Sequence, residues 1–150
     1  MKIEFEQMEK LEIKGLNYEP KILLAWGECI DGNEKITQWL MKNGYAELGL
    51  FRYALRNEER SRVWLMENGF PHLMALINGI EGKKDALEWL EKHGFYVLHQ
   101  MALVGDGDED AENHLLSSGH KLFALLAKKM EFIKDGIQAD NIDYHKINRN

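Results

Sequence analysis

Trp64-Leu65-Met66-Glu67-Asn68-Gly69-Phe70 and Trp89-Leu90-Glu91-Lys92-His93-Gly94-Phe95 are one phrase written twice, 25 residues apart. The same spacing finds it again in Trp39-Leu40 with Gly44-Tyr45, and in His114-Leu115 with Gly119-His120. Four columns hold register: a flat ring, a leucine, a glycine and a second ring. A fixed period of this size marks a repeat architecture, in which each unit buries its apolar face only against its neighbours.

Take the tryptophan as position one of a unit. Apolar residues then recur at position ten (Leu48, Leu73, Leu98, Phe123) and position thirteen (Phe51, Leu76, Met101, Leu126). Position seventeen adds Leu55, Ile80 and Met130, with Gly105 breaking the column. Steps of three and four place these on one stripe of a helix. Position twenty-three is small in Ser61, Ala86 and Ala111, which lets two helices approach closely.

The glycine column predicts helix ends. Glycine adopts the left-handed backbone without a Cβ penalty, and the residue after it folds back on the last turn. The first helix of each unit should therefore stop at Gly44, Gly69, Gly94 or Gly119. The second should stop at Gly32, Asn57, Gly82 or Gly107, since asparagine tolerates the same conformation. Pro71 suits the first turn of a second helix. Such short helices are marginal alone and need tertiary packing.

The resulting expectation is an all-α chain, a short α-solenoid of about four to five stacked helix pairs forming a single domain. Repeats of period 25 fill 20–130, with an N-terminal cap over 1–19 and a C-terminal cap and frayed tail over 131–150. Leu11, Gly15 and Leu16 repeat the leucine–glycine–apolar spacing upstream. Ile3, Phe5, Met8, Leu11 and Ile13 supply an apolar face to cover the first unit, so a monomer is expected.

Leu73 to Gly79 resembles the first helix of the ankyrin repeat. Gly82 to Gly94 resembles its inter-helix turn and second helix, with the leucine-to-glycine closure at Leu90 and Gly94. The likeness spans roughly residues 20–130. The ankyrin unit is longer, at about 33 residues. The missing part is its β-hairpin, and the Thr-Pro-Leu-His opening is absent as well. The resemblance implies an ankyrin-like helical stack without fingers, and protein–protein binding without catalysis.

Composition narrows the function further. The net charge of −6 repels a phosphate backbone, so nucleic acid is not the expected partner, whereas a basic protein is favoured. Cys29 is the only cysteine, which excludes an intramolecular disulfide and a cysteine-based zinc site. No apolar run is long enough to span a membrane, and the start of the chain carries no secretory pattern. The expectation is a cytoplasmic protein.

Candidate chemistry is sparse. Trp39, Trp64 and Trp89 suggest an aromatic box, but their strict spacing favours core packing between units. Asp106 to Glu112 holds five acids in seven residues, in the one-three-five pattern that opens a calcium loop. Ala111 stands where that loop needs glycine, and Ser117 where it needs glutamate, so a solvated turn is expected. No histidine pair has the spacing of two ligands on one helix face, and no phosphate loop or nucleophile turn occurs. No metal site, cofactor or catalytic residue is expected.

The expected function is non-enzymatic protein binding through the second-helix face. Positions eleven, fourteen and fifteen vary strongly there: Gly49, Arg52, Tyr53; Met74, Ile77, Asn78; His99, Ala102, Leu103. Arginine and tyrosine are enriched at interface hot spots, and Arg52, Arg56, Arg60 and Arg62 cluster beside Tyr53. The candidate binding residues are Arg52, Tyr53, Arg56, His72, Asn78, Tyr96 and His99. The competing expectation is an enzyme or small-ligand pocket on the concave face, built from Tyr53, His72, Tyr96 and His99.

Overall fold

The computed structural model describes residues 13–148, with side chains to residue 141. The expected apolar face at Ile3, Phe5, Met8 and Leu11 lies outside them. Among the described residues, secondary structure is helix and turn only. The helices are α1 (Pro20–Ile30), α2 (Glu34–Lys42), α3 (Ala46–Leu55), α4 (Glu59–Glu67), α5 (Pro71–Ile80), α6 (Lys84–Lys92), α7 (Tyr96–Gly105), α8 (Glu109–Ser117) and α9 (Lys121–Asn148). After α1 they pair as α2–α3, α4–α5, α6–α7 and α8–α9. A first helix of 9 residues, a second of 10 and two three-residue turns account for the period.

The turns close as the glycine columns predict. Tyr45, Phe70, Phe95 and His120 each donate their backbone N–H to Leu40, Leu65, Leu90 and Leu115, at 3.0, 2.9, 2.9 and 2.8 Å. The second turn repeats the bond from Asn33 to Glu28, Glu58 to Tyr53, Lys83 to Asn78 and Asp108 to Leu103. This is the bond of a Schellman closure, and it satisfies a carbonyl that a helix end otherwise orphans. Asn57, at φ 72, is the one non-glycine with positive φ among the described residues. Asn33 and Asp108 cap α2 and α8 by accepting from Ile36 and Ala111 N–H, both at 3.1 Å.

The leucine column is core: Leu40, Leu65, Leu90 and Leu115 are all buried. The tryptophan column fits the expectation only in part: Trp64 and Trp89 pack against the edge of the core, and Trp39 does not. Trp39 is 45% exposed, and Trp64 and Trp89 are half-buried. Each indole stacks on the ring after its own glycine: Trp39 on Tyr45, Trp64 on Phe70 and Trp89 on Phe95, with centroids 6.2, 5.9 and 5.5 Å apart. The partner comes from the same unit, so the column repeats because the turn repeats.

The second helices form an inner ring. α1 packs on α3, α3 on α5, α5 on α7 and α7 on α9, and α9 returns to α1. Lys129 of α9 ion-pairs with Asp31 at the end of α1, and Leu126 packs against Gly27. Trp26, Phe51, Leu76, Ile77, Met101 and Met130 fill the centre. The segment Ile13–Tyr18 packs against the starts of the second helices. Lys14 Nζ donates to the His93 carbonyl at 2.8 Å, and Tyr18 Oη donates to Glu47 at 3.0 Å. At the other end Lys134 Nζ donates to the Ile80 carbonyl at 3.2 Å, a cation at the C-terminus of α5. The region from 131 is therefore not a frayed tail near its start; α9 continues through it as one helix.

Candidate functional site

Closing the ring moves the available surface. The concave face expected to recognise a partner is largely interior, with Met74, Ile77 and Ala102 buried and Gly49 covered by Met41. The candidate residues do not converge on one pocket. Arg52 is committed within its own pair of helices: Nη1 donates to Glu34 and to Thr37 Oγ1, both at 2.9 Å, and the guanidinium lies 5.2 Å from the Tyr53 ring. Hydrogen bonds from Gln38 and Arg52 hold the Glu34 carboxyl below its usual range, and burial followed by the Glu34 charge pushes the Tyr53 phenol up. Arg62 donates to the Ala54 carbonyl at 2.9 Å and to Glu81 at 2.6 Å, so it joins consecutive units. Arg56 and Arg60 are exposed.

His72 is half-buried and stacks on Phe95, centroids 5.2 Å apart, with Gly15 packed against it. Burial and then the Lys14 charge lower its pKa, so the ring is held neutral. His99 faces Glu91 at 3.8 Å. Tyr96 is 49% exposed and borders a separate cleft of about 150 Å³ with His114 and His120. Cys29 is buried, and burial raises its thiol pKa, which is the environment of a packing residue. The acidic turn is also accounted for by its own neighbours: Asp108 caps α8, Asp106 pairs with Lys134 at 3.3 Å, and Glu112 lies 3.8 Å from Lys128. Among the described residues no group of three or more His, Cys, Asp or Glu could hold a metal ion. None of the described helices is long and apolar enough to cross a membrane.

Asn78 alone among the candidates lines a large opening. It is a groove of about 540 Å³ between α4 and α6, floored by α5. Met66 comes from α4; Pro71, Met74, Ala75 and Asn78 from α5; Ala86 and Trp89 from α6. Lys83, Lys84 and Asp85 form its rim. The backbones of α4 and α6 stand apart while α5 touches both.

One register position explains why the groove is open. In the preceding unit position eleven is Gly49, and a Cβ there would lie 2.7 Å from Met41 Sδ. Met41 thus covers its own second helix. In the next unit position eleven is Met74, which has a side chain where the preceding unit has none and which lines the groove. Met66, the equivalent of Met41, turns outward and is 56% exposed. The Trp89 wall is held by its stack on Phe95 and by His93, 4.5 Å away. Sequence reasoning missed Met66, Met74 and Trp89 as a group, although the swap of Gly49 for Met74 was visible in the columns.

No protein-family model matches the chain, and neither does any curated protein or solved structure.

Proposed function

We propose that this chain is a non-enzymatic protein–protein interaction module of the cytoplasm, built from ankyrin-like helix pairs without the β-hairpin. Its recognition surface is the groove between α4 and α6 that the second helix α5 floors. The observation that carries this reading is the open groove with Met66, Met74 and Trp89 on its walls and floor. Methionine is flexible and polarisable and adapts to an apolar partner, and tryptophan is the residue most enriched at hot spots. An amphipathic helix laid into such a groove buries its apolar face there. The rim carries both signs, so contact in the groove is mainly apolar. The net charge of −6 favours a basic partner on approach.

A small apolar ligand is the competing occupant, because the volume falls within the range of roughly 300–1,000 Å³ usual for ligand sites. One experiment separates the two. The four tryptophan indole N–H signals are followed by NMR while displayed-library helical peptides, or small apolar fragments, are titrated in. The binding module predicts that selected peptides move the Trp89 signal and that Met66→Asp abolishes the shift. Movement by fragments alone would favour the ligand reading. Tight peptide binding without any change at Trp89 would refute the groove as the site.

A further inference from the structure

A second surface stands apart from this groove, on α1. Ile22, Leu23, Trp26, Cys29 and Ile30 point into the core. Lys21, Leu24, Ala25 and Glu28 occupy the opposite face, at spacings of three, one and three that keep them on one stripe. Leu24 is 56% exposed. With Ile36 of α2 and the start of α9, this face of α1 borders a groove of about 480 Å³, lined by Leu24, Ala25, Ile36, Leu122 and Leu125, with Leu125 itself 50% exposed. Leu24 and Leu125 with the groove between them bring exposed apolar groups together on one face, and contiguous apolar surface is what interaction sites are built from.

The stripe is self-complementary. The midpoint between Lys21 and Glu28 is also the midpoint between Leu24 and Ala25. A two-fold axis through that point sets a second α1 antiparallel to the first. Lys21 then faces Glu28 of the second copy, and Glu28 faces its Lys21. Leu24 of each copy meets the small Ala25 of the other and enters the groove beside it. The charges are available for this. Among the described residues Glu28 makes no ion pair, and Lys21 has only Glu19, at 3.5 Å, with both side chains largely in water. Lys129 at the groove's edge is already engaged by Asp31.

We propose that two copies of this chain pair through α1 in an isologous, two-fold interface, with Leu24 as the apolar anchor and Lys21–Glu28 as the register. An isologous interface requires one patch that complements itself, and a stripe with apolar residues between opposite charges meets that requirement. The monomer expected from the sequence rested on covered end faces. This contact uses the side of the first helix and leaves the ends alone.

The charge pattern supplies a test in which mixing two disrupted variants restores the contact. Light scattering of the full chain over rising concentration should move from 17.5 kDa to the doubled mass. In Lys21→Glu, two acids face each other twice. In Glu28→Lys, two lysines do. Each variant alone should raise the dissociation constant on the order of tenfold or more, since like charges across an interface are strongly penalised. Mixed together, the two variants place glutamate against lysine at both positions, and heterodimers should form with near wild-type affinity. The double variant should also dimerise again. These side chains are exposed, so far-UV circular dichroism should be unchanged in every case. A wild-type mass that stays at 17.5 kDa up to about 1 mM, the weak end of the affinity scale, would overturn the proposal. So would a dimer that the single variants leave intact, or a mixture that stays monomeric.

Discussion

Replacing Gly69 by alanine isolates one term of this fold's stability. Gly69 sits past the end of α4 at φ +88, and a Cβ built on it meets nothing within 4 Å. The substitution therefore adds no clash and removes no contact. It asks an L-residue to hold the left-handed conformation, which costs about 1–2 kcal/mol. Alanine also restricts the unfolded chain more than glycine does, which returns about 0.4–1 kcal/mol. The net loss should be about 1 kcal/mol, or roughly 3 °C in Tm for a chain of this size. Urea unfolding followed by circular dichroism should show a lower midpoint with an unchanged slope. Gly69→Asn should lose less, as Asn57 shows by holding φ 72 at the end of a second helix. Gly15→Ala is the contrast. Its φ is +86, but the new Cβ would lie 3.0 Å from His72 and 3.1 Å from Leu98 and Phe95. It should lose clearly more than Gly69→Ala, and the difference measures how firmly Ile13–Tyr18 is packed. No loss at Gly69 would refute the left-handed closure. A loss above about 3 kcal/mol would refute the open space around it, since backbone strain alone does not reach that figure.

Leu65→Ala removes a fully buried side chain at the closure of α4 and should cost about 2–5 kcal/mol in the same urea experiment; a few tenths would mean the leucine column is not core. His72 gives a pH signature. Its folded pKa lies below the ordinary 6.5, so the unfolded chain binds more protons in the interval between the two values. Stability is fully present above about 6.5, falls as pH drops through that interval, and is lost below the folded value. His72→Phe keeps a ring against Phe95 and removes the proton, so wild type should weaken relative to the variant between pH 7 and 5. A difference independent of pH would refute the buried neutral ring.

The turns of this fold were legible in the sequence and its closure was not. A left-handed glycine is a local demand, and the leucine and ring beside it are local partners, so the columns read directly as helix ends. The tryptophans were judged right only in part, because a periodic aromatic usually packs between units; here the ring it stacks on lies within its own unit. The end of the chain was misjudged for the opposite reason. Position nineteen is Gly32, Asn57, Gly82 and Gly107 in turn, and then Phe132. Losing the stop signal looked like losing order, yet a helix without a stop continues, and α9 runs on through Asn148. The pairing of α9 with α1 joins residues 98 apart, as in Lys129 with Asp31, and no local pattern announces it.

The closure changes what variation along the repeat can mean. In an open stack, the variable positions of the second helices would share one concave surface, and their differences would read as recognition. Here α9 and the neighbouring helices cover that face, so variation at Ile77 and Ala102 is variation in packing. Where the outer helices α4 and α6 part, the second helix α5 becomes the floor of a groove. Whether they leave a groove depends on a single register position, glycine beneath Met41 or methionine beside Met66. Strict columns at the turns build one scaffold four times, and a side chain of different size at position eleven makes one unit unlike its neighbour. The groove between α4 and α6 is specific to that unit because the framework around it is repeated and its floor is not.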